Sequence, residues 1–267
     1  MSDEHMVEPG QVVNLSETEA NGKYLHDDRK AAEKEFKKLR KEFRILQAQL
    51  YAEGKQKLLI VFQAMDAGGK DGTIRAITQG VNPQGVRVAS FKAPTSLELA
   101  HDFLWRIHPH TPANGMISIF NRSHYEDVLI VRVDDLVPES IWRPRYTHIN
   151  NFERLLYDAH TRILKFYLHI STGEQRARFQ ERVDDPVKNW KFSFEDLEKR
   201  KQWDAYMAAY EEMLENTSTA HAPWYIIPAN QNWYRNLAIE RVIVDTLKEM
   251  DPHYPRPPEG LDGVSVT

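Results

Sequence analysis

The apolar run Leu58-Leu59-Ile60-Val61-Phe62 leads straight into Gln63-Ala64-Met65-Asp66-Ala67-Gly68-Gly69-Lys70-Asp71-Gly72. A short apolar run closed by a glycine-rich turn reads as a strand buried on both faces, the kind that parallel sheets are made of. The glycines let backbone N–H groups close around phosphate oxygens, and a helix starting at the turn points the positive end of its dipole at the same anion. Lys70 would add a mobile point charge. Ala67, Gly68, Gly69, Gly72 and Thr73 are the positions expected to contact phosphate. Measured against G-x-x-x-x-G-K-[ST], Ala64 stands for the first glycine and Asp71 for the Ser/Thr. Without its context the turn fits an ordinary surface loop. The strand before it favours phosphate.

Strand-like and helix-like pieces alternate after the loop. Residues 86–91 read as a strand, 96–108 as a helix, 115–120 as a strand, 149–160 as a helix and 163–170 as a strand. Trp224 to Pro228 is a further short strand, followed by a helix at 233–250. This alternation implies an α/β fold with a parallel sheet covered on both faces, its ligand beyond the carboxyl ends of the strands. Ahead of the loop, Phe36, Leu39, Phe43, Leu46 and Leu50 recur three and four apart. They form one apolar stripe on a helix spanning 28–53, which docks on the core or on a second subunit. The polar segment 1–27 and the Pro/Gly-rich tail 252–267 are expected to be loosely attached, leaving one domain over 28–251.

Composition excludes several classes. The chain has 267 residues, 41% of them hydrophobic and 28% charged, which can bury a large core. It has no cysteine, hence neither disulfides nor thiolate metal sites. No signal-like apolar segment opens it and no run approaches the ~20 residues of a membrane helix, which points to the cytoplasm and to no membrane partner. A net charge of -4 argues against a general nucleic-acid binder.

Two more stretches carry chemistry. Ile119-Phe120-Asn121-Arg122-Ser123-His124-Tyr125-Glu126-Asp127 sets polar groups directly after a buried strand, where phosphate-loop enzymes commonly hold magnesium on a carboxylate. Asn121 can contact a metal or its water but cannot neutralise charge; Glu126 and Asp127 could. Equally, Asn121 could cap a helix whose first turn Glu126 and Asp127 decorate. Between Glu174 and Trp203 stand eight basic and seven acidic residues. Such a run fits a solvated helical hairpin, yet Arg182, Lys188 and Lys191 cluster around Pro186 and would suit a lid over 174–216 that excludes water. Arg75 and Arg132 read as solvated helix charges, although either could line the path of a long anion. Trp105 could stack on a nucleotide base near Lys92 and Pro94, although a tryptophan on a helix more often belongs to the core. The histidines form no metal-ligand pattern.

Taken together, these stretches resemble the family 2 polyphosphate kinases, which move phosphoryl groups from inorganic polyphosphate to nucleotides. The resemblance rests on Met65-Asp66-Ala67-Gly68-Gly69-Lys70-Asp71-Gly72, on Asn121-Arg122-Ser123-His124-Tyr125-Glu126-Asp127 and on the segment 182–191. A fourth block, Ala222-Pro223-Trp224-Tyr225-Ile226-Ile227-Pro228-Ala229-Asn230, resembles the family's closing segment. The resemblance implies a P-loop kinase fold similar to thymidylate kinases, a three-layer sandwich with a parallel sheet and a helical lid, assembled as a homodimer or homotetramer. Many members carry aspartate where this chain has Asn121. The Asn-Arg-Ser-His-Tyr-Glu-Asp string resembles instead the third class, which accepts both AMP and ADP, and guanine nucleotides are possible further substrates.

The resemblance also implies magnesium, or manganese in its place, held chiefly by Asp66 with help from Glu126 or Asp127. Lys70 and Arg122 would act on the transferring phosphoryl group, Asp71 would orient Lys70 or a metal-bound water, and Arg182, Lys188 and Lys191 would close over the phosphates. Two other readings share these features: an ATP-dependent nucleoside monophosphate kinase, and a non-catalytic phosphate-binding module in which Asn121 marks a lost metal site.

Overall fold

The apolar run at 58–62 lies in the middle of the molecule, every one of its side chains fully buried. The computed structural model describes residues 4–261, 264 and 265, so the outermost residues of both terminal segments lie outside the described residues. Its first half runs β1 (Met6–Val7), α1 (Arg29–Glu53), β2 (Lys57–Gln63), α2 (Lys70–Ile77), β3 (Val86–Ser90), α3 (Ser96–Leu99), β4 (Ile117–Asn121), α4 (Ile130–Val133) and α5 (Glu139–Trp142). The second half runs α6 (Arg145–Asp158), β5 (Thr161–His169), α7 (Thr172–Asp184), α8 (Phe194–Lys201), α9 (Trp203–Thr217), β6 (Trp224–Pro228) and α10 (Asn232–Met250).

The strands form one sheet in the order β1-β6-β5-β2-β4-β3. Every pairing is parallel except that of β1 with β6. From β2 the chain passes out to the edge strand β3, returns to β4 beside β2, then crosses to β5 and β6 on the other side. The strand order therefore reverses beside β2, which opens a crevice beyond its carboxyl end. Because successive strand residues point to opposite faces, Leu59 and Val61 join one core with Ile149, Phe152 and Met213 of α6 and α9. Leu58, Ile60 and Phe62 join the other with Phe43, Leu50, Ile74 and Ile243 of α1, α2 and α10. The result is the three-layer α/β arrangement expected from the sequence.

The apolar stripe of α1 docks on this second core. Phe43 and Leu50 are fully buried, and Phe36, Leu39 and Leu46 pack against the same cluster. Asp28 caps the helix by accepting from the Ala31 amide, and Gly54 ends it in the left-handed region. Glu35 with Arg241 at 2.7 Å and Glu42 with Lys248 at 2.9 Å tie it to α10.

Two expectations need correction. The helix expected over 96–108 lasts only four residues, Ser96–Leu99, held by a capping box between Thr95 and Glu98. Beyond it the Asp102 side chain accepts from the Leu104 amide at 3.0 Å, a local bond that competes with helix continuation. Trp105, read as core, is 42% exposed and stacks on His101 at 4.2 Å.

The polar N-terminal segment is also docked, not loose. β1 adds an antiparallel edge to β6, with Met6 opposite Tyr225. Val7, Val13, Leu15 and Ala20 are buried. The amides of Val13 and Leu15 donate to Glu215 and Glu211 of α9 at 2.8 Å each. Four apolar residues without a regular period gave no sign of this. The segment covers an edge that β6 would otherwise leave unpaired.

Candidate active site

The loop between β2 and α2 turns tightly. The Gly68 amide donates to the Met65 carbonyl at 2.9 Å. A Cβ at Gly68 would sit 2.5 Å from the Ala64 side chain and 2.8 Å from the Met65 carbonyl, so the turn closes only around glycine. Ala67 and Gly69 take φ values of +63° and +99°. Gly69 leads into α2 without a side-chain cap, so the first amides of α2 face the loop. Thr73 donates its hydroxyl back to the Gly69 carbonyl at 3.0 Å. Lys70 stands in the first turn, buried, and its Nζ donates to the Ala64 carbonyl at 2.7 Å. Burial and the neighbouring Arg122 charge bring its pKa down to about 8, although Asp66, Glu126 and Asp71 pull the other way.

The end of β4 completes the crevice. Asn121 donates its side-chain amide to Asp71 at 2.6 Å, which joins two of the expected site residues. Arg122 takes a left-handed φ of +61°, and its amide donates to the Phe62 carbonyl at 3.1 Å. Its guanidinium pairs with Asp66 at 2.5 Å and lies 3.7 Å from Glu126. Burial works to raise the Asp66 pKa, but Arg122, Lys70, Lys199 and Arg182 together outweigh it and hold the carboxyl below its usual range. Burial works to lower Arg122, and Glu126 and Asp66 more than offset that. Ser123, not Asn121, caps the turn that follows, accepting from the Tyr125 amide at 3.2 Å.

Asp127 faces elsewhere. Arg145 of α6 pairs with its carboxylate at 3.2 Å and donates to its carbonyl at 2.9 Å. Burial pushes the Asp127 carboxyl up to about 6 against the pull of Arg145. Among the described residues no three His, Cys, Asp or Glu side chains gather as a metal cage. What remains is a two-carboxylate set, Asp66 and Glu126, on either side of Arg122.

A buried network anchors this turn from below. Lys165 of β5 donates to Glu153 at 2.6 Å, to the Tyr125 hydroxyl at 2.8 Å and to the Thr217 carbonyl at 2.7 Å. Tyr125 donates to Glu153 at 2.7 Å. Lys165 and Glu153 are fully buried, so each charge depends on the other.

The helices α7, α8 and α9 fold over the loop. Gln175 donates to the Asp66 carbonyl at 3.0 Å, and Arg178 to the Ala67 carbonyl at 2.9 Å and the Ala229 carbonyl at 2.6 Å. Lys199, Tyr206 and Tyr210 share a cleft with Asp66, Arg122 and Glu126. Arg182 pairs with Asp196 at 3.1 Å. Lys188 instead bonds to Glu181 at 2.6 Å and Asp185 at 3.2 Å, and Lys191 sits over the Trp190 ring at 5.0 Å. These two lysines engage their own turn here.

Sequence reasoning passed over Gln175, Arg178, Lys199, Tyr206 and Tyr210. The first two were within reach, since 175, 178 and 182 share one helical face. Arg132 pairs with Glu212 and lies over Trp142 at 4.9 Å, which makes it a packing charge between α4 and α9. Arg75 is exposed.

Residues 26–255 match the family described as Polyphosphate kinase 2 (PPK2). The chain is similar to the AMP/ADP-polyphosphate phosphotransferase of Meiothermus ruber, 58% identical over 221 residues that cover 83% of each chain. It is also similar to the ADP-polyphosphate phosphotransferase of Rhodopseudomonas palustris, 49% identical over 79% of this chain and 77% of the other. Among solved structures, Polyphosphate Kinase 2 from Arthrobacter aurescens matches with a TM-score of 0.92 and 38% identity, over 96% of this chain and 92% of the other.

Proposed function

The chain belongs to the polyphosphate kinase 2 family, and from that premise we propose that it transfers the terminal phosphoryl group of inorganic polyphosphate to AMP and ADP, reversibly. The observation that carries this reading is the convergence of Lys70, Arg122 and the uncapped first turn of α2 on one crevice, with the ionised Asp66 beside them.

The acceptor is a nucleotide phosphate oxygen, already ionised near neutral pH, so no strong general base is needed. That oxygen bonds to the terminal phosphorus of the chain. The P–O bond to the next phosphate breaks, and the shortened polyphosphate leaves with the electron pair on its new terminal oxygen. The demand on the protein is alignment and neutralisation of crowded negative charge. Lys70 and Arg122 take the transferring group and its bridging oxygen. The amides at Ala67, Gly69 and Gly72 bed the polyphosphate, Gly68 and Thr73, whose amides are held by the Met65 and Gly69 carbonyls, shape the loop around it, and Asp71 with Asn121 fixes the rim between α2 and β4. Arg182, Lys188 and Lys191 belong to the lid, which keeps water from the reacting phosphorus.

Asp66 and Glu126 fit a magnesium ion, which takes one or two carboxylates and completes its shell with water and substrate phosphates; manganese has the same preference for oxygen donors. Such an ion would neutralise charge on the phosphates when bound. Asp127, committed to Arg145, stands outside that set.

One anhydride replaces another, so excess polyphosphate drives nucleotide synthesis. Among the described residues no helix is long and apolar enough to cross a membrane, and we place the protein in the cytoplasm as a homodimer or homotetramer. A donor exchange tests the reading: with magnesium, AMP and polyphosphate but no ATP, ADP accumulates. ADP formed only when ATP replaces polyphosphate would identify a monophosphate kinase instead, and no turnover with either donor, on AMP or ADP, a binding module.

A further inference from the structure

Arg235, in the first turn of α10, has no part in the mechanism above, yet it lies against the phosphate loop. Its side chain is 2% exposed. Nη1 donates to the Asn232 side-chain oxygen at 2.8 Å, and Nη2 and Nε donate to that of Asn236 at 2.9 and 3.2 Å. All of these acceptors are neutral. A Cβ placed on Gly69 would lie 2.2 Å from Arg235 Nη1 and 3.4 Å from Arg178 Nη1, and one on Gly72 would lie 3.9 Å from Arg235 Nη2. The guanidinium therefore rests against the last residue of the loop and the flank of the first turn of α2.

The charges nearest it are positive, although Arg178 carries its own counter-ion, Glu174, at 2.8 Å. The N-terminus of α2 carries the positive end of the helix dipole, Arg178 lies beside the same glycine, and Lys70 follows it. Burial, and after it the Arg178 charge, bring the Arg235 pKa down to about 9, and among the described residues no carboxylate bonds to its guanidinium. A buried charge without a counter-ion is unfavourable. With only neutral acceptors on Asn232 and Asn236, Arg235 is open to an anion from outside the chain.

Loops of this type cradle the phosphates of the donor, and polyphosphate carries a negative charge on each successive phosphate. We propose that Arg235, together with Arg178, is a positioning residue for the polyphosphate donor, holding Gly69 in its left-handed conformation and setting the positive potential of the loop from behind. The inference rests on the polyphosphate reading above. It assigns Arg235 an effect on the donor and none on the nucleotide, whose two or three charges draw far less on that potential.

The test is steady-state kinetics of the full chain with polyphosphate and ADP each varied in turn, for wild type, Arg235→Gln and Arg235→Lys. Arg235→Gln should raise KM for polyphosphate about tenfold, with KM for ADP unchanged within about twofold. Arg235→Lys should stay near wild type at pH 7 but lose donor affinity at a lower pH than wild type, because an ammonium in the same desolvated place discharges below the guanidinium it replaces. The inference is overturned if the folded variants keep the wild-type KM for polyphosphate at every pH, or if both KM values rise together, which would mean that the loop has collapsed. Should Arg235→Gln fail to fold, the pH profile of Arg235→Lys decides. Should wild type show no polyphosphate-dependent turnover, the proposed function fails and not this inference; titration with inorganic tripolyphosphate then compares wild type with the variants directly, and equal affinities would overturn it.

Discussion

Lys70 is placed so that its charge titrates close to working pH. Burial and Arg122 bring it down to about 8, and only its cationic form can neutralise a transferring phosphoryl group. The free enzyme should therefore lose kcat/KM for polyphosphate as pH rises through about 8, while kcat at saturation holds to higher pH because the bound polyanion restores the proton. A kcat/KM profile flat to pH 10 would remove Lys70 from the charge balance. The neighbouring carboxylates separate by partner. Asp66→Asn should weaken the response to magnesium, whereas Asp127→Asn should leave the metal titration unchanged, since Asp127 faces Arg145. Identical titrations for wild type and Asp66→Asn would contradict this. That Lys70, Asp66 and Arg122 meet at one crevice was legible because each stands at a fixed step from a glycine turn or a strand end. The direction of Asp127 was not, because it is set by an arginine 18 positions later in the chain.

At the scale of elements, strands and long helices followed the periodicity of their apolar residues, and the exceptions have local causes. The helix after β3 stops where the Asp102 side chain takes over a backbone amide. Lys188 and Lys191 were expected on phosphates, but Glu181, Asp185 and Trp190 in their own turn lie nearer in sequence and hold them. The interface of α1 with α10 contains a group that no sequence pattern reveals. Glu240 is fully buried, neither carboxylate oxygen has a hydrogen-bond partner among the described residues, and burial pushes its pKa up to about 8 against the pull of Arg40 and Arg44. The folded state thus keeps a proton that the unfolded chain releases near pH 4.5. Stability from this group is full at low pH and is lost progressively as pH rises from about 4.5 to 8. Glu240→Gln should flatten that slope and be more stable than wild type at pH 8, by on the order of 3 kcal/mol. Urea unfolding at pH 5 and pH 8 measures it; equal slopes for both proteins would show that Glu240 does not carry the proton.

Across the whole molecule, the architecture gathers Lys70, Arg122, Arg178, Arg182 and Lys199 around the phosphate loop. The strand order reverses beside β2, the crevice opens there, and the lid helices bond to the loop through Gln175 and Arg178. The alternation of strands and helices made this layout readable in outline. The antiparallel edge strand and the docked N-terminal segment were not readable, because pairing across more than two hundred residues leaves no trace in local spacing. In the proposed function this charge cluster moves phosphoryl groups from polyphosphate to nucleotides. The most direct test follows AMP, ADP and ATP by chromatography after incubating wild type and Lys70→Ala with magnesium, long-chain polyphosphate and AMP, with thermal melting confirming that both are folded. Wild type should give ADP and then ATP, and the variant a rate at least ~100-fold lower; equal rates from the two folded proteins would contradict phosphoryl transfer by this cluster.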